Sequence, residues 1–344
     1  MKQHKFVSKF NTGFKVILAL LVLLMLMLAA SVMGAASISC REVINAVLGK
    51  EVSKAAYTIL FKVRFPRIIT SICVGGLLAV VGALMQGIFK NKMADPSVMG
   101  ISGGAGLGAS LIIVLDIKNV YIGISAVGIG ALIGAAVTHL IILSVIAVTS
   151  RKGISSVSST LLSGIALSSF TSSMITVIMA LHRDNMEKVY MWMLGSFSAS
   201  TQEKAIFLSI LSLILVPLIM IIAPQIDILK LGSTTALTYG INPKSLMRKV
   251  LTISSVAVAF TVASSGIIGF VGLVIPHIVS FFGIRRMRPK ILMSFIVGAI
   301  FVLLSDSVAR SIMAPSELPV GAITSLIGAP YFLILLIRGR EGRE

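Results

Sequence analysis

The sequence holds few groups that could do chemistry on a substrate. Asp306 and Arg310 stand four residues apart, acid first, the order of an ion pair along one helix face and a way to carry charge at a membrane edge. His4, His139, His182 and His277 are scattered, no two at metal-ligand spacing. Cys40 and Cys73 are too few and too far apart for a metal cluster or a disulfide framework. There is no Gly-x-x-x-x-Gly-Lys-Ser/Thr phosphate loop, so any ATP the chain depends on must be bound by another polypeptide. No catalytic residue, metal ligand or cofactor is therefore expected. At about 100° per residue, Ser155, Ser156, Ser159, Thr160 and Ser163 fall within one arc of about 140°. A water-filled path would use such an arc, and small-residue packing would explain it equally well.

These groups sit in 344 residues that are 56% hydrophobic and 12% charged, with a mean hydropathy of +1.03. Such a chain cannot bury its apolar surface in a soluble core. It reads as an all-α polytopic membrane protein, one domain over 1–344, with about ten spans of about 20 residues each. The formal charge of +18 suggests a nucleic-acid partner until its distribution is followed. Alternating spans from a cytoplasmic N-terminus also bring the C-terminus to the cytoplasm. They place 19 of the 30 Lys and Arg inside, with four of the 12 acids (Asp95, Asp227, Glu341 and Glu344). The positive-inside rule accounts for that excess without nucleic acid.

Lys2 to Lys15 followed by Val16 to Met33 imitates a secretory signal, but its apolar core is longer than the usual 7–15 residues and predicts an uncleaved first span. Cys40 after Ile38-Ser39 is a poor lipidation site, and residues 37–63 read as an outer loop. Pro66 can open a second span over about 66–86, because a first helical turn needs no N–H there. Further spans are predicted at about 97–115, 121–149, 157–181, 204–223 and 249–265, then an eighth carrying Gly266 to His277, and at about 291–314 and 318–337. The fourth tilts or breaks at Gly123, Gly128, Gly130 and Gly134, the sixth ends near Pro224, and Trp192 suits a membrane interface. Pro276 kinks the eighth, where His277 is expected to bond the freed backbone. Residues 226–247 are too polar to span and too apolar for a free linker. Two short helices, broken at Gly240 and Asn242-Pro243 and lying against another protein, would satisfy both facts.

Several strings carry a resemblance: Arg64-Phe65-Pro66-Arg67, Gly82 to Gly87 (G-A-L-M-Q-G), Asn91 to Ala105 (N-K-M-A-D-P-S-V-M-G-I-S-G-G-A), Met191 to Phe197 and Gly266 to His277. In this order they resemble the FecCD family, permeases of ABC importers for ferric siderophores, haem and cobalamin. The likeness runs from Arg64 to Leu335. It implies a homodimer or heterodimer of permeases in the lipid of the cytoplasmic (inner) membrane. Two cytoplasmic ATP-binding subunits and an extracytoplasmic substrate-binding protein complete the assembly. It implies ATPase coupling through Leu231, Gly232, Ala236, Leu237, Gly240 and Ile241, with a departure at Ser233-Thr234, where many relatives carry acids. It also implies that Arg64, Arg67 and Arg310 dock carboxylates of the binding protein, against the alternative of interfacial anchoring. Ser156, Ser159, Thr160 and Ser163 are the pathway candidates.

A ferric siderophore is the expected cargo, with haem or cobalamin as alternatives. An ion-coupled secondary transporter would need ionisable groups at mid-membrane. The predicted spans place Asp95 and Asp227 at the inner surface and Asp306 outward. An intramembrane enzyme lacks its constellation.

Overall fold

Residues 11–340 are described in the computed structural model, apart from 35–37, 96–98, 118–119, 122–123, 152–155 and 314–315. The chain opens with α1 (Thr12–Val32) and α2 (Cys40–Val47). α2 starts at a capping box in which Ser39 and Glu42 bond each other's backbone, and those hydrogen bonds hold the Glu42 carboxyl below the usual carboxylate range. α3 (Lys54–Thr58) runs through a π-helical turn, Ile59–Arg64, into α4 (Phe65–Ile88). Then come α5 (Ile101–Val114), a small antiparallel pair of β1 (Val120–Tyr121) and β2 (Ile124–Ser125), α6 (Ala126–Arg151), α7 (Ser156–Leu181) and α8 (Met186–Met193). The last third holds α9 (Gln202–Lys230), α10 (Ser233–Thr238), α11 (Pro243–Ser265), α12 (Val271–Phe281), α13 (Met287–Ser311) and α14 (Val320–Arg340).

Among the described residues, seven helical runs are long and apolar enough to cross a membrane: α1, Lys54–Ile88, α6, α7, α9, α11 and α13. Three further predicted spans fall on shorter apolar helices, α5, α12 and residues 320–335 of α14.

Four local expectations need correction. Residues 37–63 are largely helical rather than loop, and Pro66, in the first turn of α4 as expected, does not open the helical run, which reaches back without a break to Lys54. The π turn absorbs it: Phe65 N–H bonds Leu60 O, and the chain passes through the proline without stopping. α6 is unbroken through Gly128, Gly130 and Gly134, while Gly123 lies outside the described residues. The sixth span continues past Pro224 to Lys230.

Membrane helices tolerate proline when something else takes the carbonyl it frees, and here side chains do so. Met220 O, four before Pro224, accepts from Arg288 Nε at 3.1 Å. Gly272 O, four before Pro276, accepts from Gln86 Nε2 at 3.4 Å, which also donates to Leu273 O at 3.0 Å. His277 does not fill that role; it is half-buried, its ring 6.5 Å from that of Tyr331.

The core is built around α4. Only Phe65, Ile69 and Ile72 of that helix are not buried, and α9, α11, α12 and α13 enclose it. Lipid gives no hydrophobic drive between helices, so they hold by close packing, which small residues permit. A Cβ on Gly75 would overlap Gly298 O of α13, and one on Gly82 would overlap Gly272 O of α12. The same device joins α5 to α6, Gly104 against Gly134 and Gly108 against Gly130. Outward faces of α1, α6, α7, α9 and α14 carry exposed Leu, Ile, Val and Met, as lipid-facing helices do.

Gly82→Leu should therefore lower the melting temperature of the detergent-solubilised chain, with an overpacking cost of about 1–3 kcal/mol or more. Gly13→Leu, with nothing within 4 Å, should leave it unchanged.

Candidate functional site

Helix directions give the bundle two chemically different ends. At the first end, where α4 and α14 begin and α13 stops, charge is buried. Asp306 is fully enclosed and receives Arg67 through Nη2 at 2.8 Å and Nε at 3.1 Å. Arg67 Nη1 also bonds both oxygens of Glu317 at 2.9 Å. Arg310 Nε lies 3.3 Å from Asp306 Oδ2, so the ion pair read from the four-residue spacing exists, although Nε is not aligned for a hydrogen bond.

Arg64 and Arg310 have a second task. Arg64 donates to Ser31 O and Val32 O, and Arg310 donates to Ala30 O and Met33 O at 3.4 Å. Two guanidinium groups thus cover the last carbonyls of α1, where the helix dipole is negative. The three arginines expected to dock a binding protein are 4%, 6% and 7% exposed for Arg64, Arg67 and Arg310, each engaged within the chain. Their burial is set by partners more than 200 residues away for Arg67 and Arg310, a relation that no local spacing reveals.

Beside this cluster, the Met191–Phe197 string meets the chain at Ser265-Gly266, where another string begins, and at Val320-Gly321. Ser196 N–H bonds Ser265 O at 2.8 Å, Val320 N–H bonds Gly195 O at 3.0 Å and Gly321 N–H bonds Leu194 O at 3.0 Å. Gly195 and Gly266 adopt φ of 73° and 71°, which favours glycine, and a Cβ on Gly266 or Gly321 would overlap Trp192 O or Leu194 O. Trp192 is half-buried in this knot, packed against the core. The glycines are there to let three turns share backbone hydrogen bonds.

The opposite end carries the segment 226–247. Only one short helix forms there, α10, because Asn242 caps α11 directly, accepting from Lys244 and Ser245 N–H at 3.0 and 3.2 Å, and Pro243 suits its first turn. The string Ala236-Leu237-x-x-Gly240-Ile241 is a Schellman stop: Ile241 N–H reaches Ala236 O at 2.8 Å and Gly240 N–H reaches Leu237 O at 2.9 Å. Gly240 has φ 73° and Gly232 φ 142°. Ala236 is fully buried and Ile241 packs on the core, while Leu231, Leu237 and Tyr239 are 74%, 58% and 70% exposed. The six residues expected to couple thus divide into anchors below and an apolar surface above.

Of the pathway candidates, Thr160 is buried and Ser163 half-buried in α7. Ser156 and Ser159 lie in α7 with their side chains outside the described residues, and Ser155 lies outside them entirely. No group of three or more His, Cys, Asp or Glu able to hold a metal occurs among the described residues.

The arrangement defines a transmembrane permease subunit of an ABC importer. It superposes on a solved inward-facing structure, described as an ABC transporter of the metal-chelate type, with a TM-score of 0.82 and 26% identity over 95% of this chain and 99% of that one. The chain belongs to the FecCD transport family, whose profile matches residues 20–338. It is 34% identical to the hemin transport system permease HmuU of Yersinia pestis, over 94% of this chain and 96% of that protein. It is 35% identical to the Fe(3+)-citrate import permease YfmE of Bacillus subtilis, over 93% and 95%. It is 34% identical to the cobalamin import permease BtuC of Halobacterium salinarum, over 85% and 76%. The protein is a multi-pass inner-membrane permease, and ATP is hydrolysed on a separate subunit. Permeases of this family work with a partner permease, ATP-binding subunits and a substrate-binding protein.

Asp306→Ala leaves Arg67 and Arg310 buried without their shared carboxylate and should cost about 3–5 kcal/mol. Glu317→Gln removes a contact at a side chain 37% exposed and should cost about 1 kcal/mol or less. Thermal unfolding of the two purified variants checks the order.

Proposed function

We propose that this permease carries an iron chelate, a ferric siderophore in the first instance, inward across the membrane. The end bearing α10 faces the cytoplasm and the end bearing Asp306 faces out. The single observation that carries the importer reading is the exposure of Leu231, Leu237 and Tyr239 on and beside a short helix anchored by Ala236, apolar surface that water alone would not favour. An ATP-binding subunit fits it. With polar Ser233 and Thr234 in place of acids, the contact is mainly apolar.

The iron assignment draws on the resemblance and on relatives named for hemin and Fe(3+)-citrate. Haem and cobalamin remain the alternative cargoes. The substrate-binding protein docks at the arginine end. Arg67 and Arg310 act there by holding Asp306 and Glu317 in place, and Arg64 and Arg310 by fixing the end of α1, so docking depends on all three through the shape they impose. Ser156, Ser159 and Ser163 line the cytoplasmic part of the path, beside a second permease copy or a homologous partner, whereas Thr160, fully buried within the chain, does not.

A deletion strain grown under iron starvation on a panel of siderophores, haem and cobalamin tests the cargo. One iron chelate should restore growth with the intact chain and fail with Leu231→Asp/Leu237→Asp. If deletion alters growth on no iron source, the iron assignment falls. Arg64→Glu should weaken capture of the permease complex by its immobilised binding protein at least tenfold; undiminished capture would remove the docking role.

A further inference from the structure

Where α4, α9 and α12 end and α13 begins, they leave a cavity of about 290 Å3 on the coupling side of the bundle. Four ammonium groups line it, from Lys90, Lys92, Lys230 and Lys290, with His277 and Ser280 on its inner wall. Asp227 is the carboxylate beside it, and both its oxygens are occupied: Oδ1 accepts Lys230 Nζ at 3.0 Å and Oδ2 accepts Met287 N–H at 2.9 Å. Among the described residues, no carboxylate lies within ion-pair reach of Lys90, Lys92 or Lys290. Asp227 lies near enough for its field to reach Lys290, so the lysines carry an excess of like charge that a further anion would relieve. Lys90 is placed there at a backbone cost, since it holds φ at 50°, a conformation few non-glycine residues adopt.

The position narrows the anion. Lys90 follows directly on the apolar helix α4, separated from its last residue only by Phe89, so the cavity lies where that helix leaves the hydrocarbon. Lysines act as compact point charges that suit phosphate without demanding a planar, bidentate partner. Basic pockets between helices at the cytoplasmic surface have the chemistry for phosphate-bearing headgroups. We propose that this cavity is a binding site for a phosphate-bearing anion and that the headgroup of an anionic phospholipid of the inner leaflet fills it. Its placement at the inner leaflet rests on the orientation proposed above, whereas binding itself does not.

The test uses the full-length chain, delipidated in neutral detergent and titrated with cardiolipin, with phosphatidylcholine as the uncharged control, bound lipid being counted by native mass spectrometry. Lys90→Gln/Lys92→Gln/Lys290→Gln should weaken cardiolipin binding at least about tenfold, since each lysine near an anionic surface contributes appreciably. Lys244→Gln/Arg248→Gln/Lys249→Gln removes three cations of the same end outside the cavity and should bind as the parent does. Equal loss in both variants, or loss in neither, overturns the site. Inorganic phosphate in excess should not displace the lipid; if it does so completely, the lipid source is overturned in favour of free phosphate. Unchanged melting temperatures keep unfolding out of the comparison. Separately, Lys92→Cys in a Cys40→Ser background should react with an impermeant thiol reagent only from the cytoplasmic side, and labelling from outside would overturn the orientation without touching the detergent result.

Discussion

Close approach of backbones around α4 is the constraint on which the rest depends. Every face of that helix meets protein, and at Gly75 and Gly82 the neighbours come so near that no side chain fits between them. In lipid, where helix association draws on packing rather than on expelled water, this contact is the cohesion of the bundle. α12 and α13 are positioned by it directly. Their ends then set the coupling-side cavity, and the start of α4 delivers Arg67 to Asp306.

The second organising fact is that certain backbone carbonyls left open inside the bundle are taken up by side chains from other helices. Proline in α9 and α12 frees carbonyls that Arg288 and Gln86 take up, and the end of α1 is closed by Arg64 and Arg310. Each of these bonds fixes one helix against another. Charged and amide side chains that look from sequence like surface features serve as fasteners of irregular backbone.

Much of this was legible in the sequence, for physical reasons. Long uncharged runs gave the positions of the helices because lipid admits little else, and the Asp306 and Arg310 pair followed from helical spacing. The glycine strings were readable as marks of a family, and the structure adds what their glycines touch. Other features were not readable. Pro224 carries a strong stop signal and Pro66 a start signal, and only a distant Arg288 and a π turn explain why the first does not end a helix and the second does not open the helical run. Burial of the three arginines depends on Asp306, Glu317 and the end of α1, all remote in sequence. The second short helix failed for a local reason that could have been seen: Asn242-Pro243 is a better start for a long helix than an interruption between two short ones.

One junction carries a mechanical meaning. The Schellman stop of α10 hands the chain to the cap of α11 within a few residues, with Ile241 and Ala236 seated on the core. α11 is then a rod of about 35 Å. Its far end, Ser265, is tied by a hydrogen bond to Ser196 in the knot of turns at the opposite end. The seat of α10 and the place where α14 begins are therefore joined by one continuous helix and two backbone joints, with no side chain needed in between.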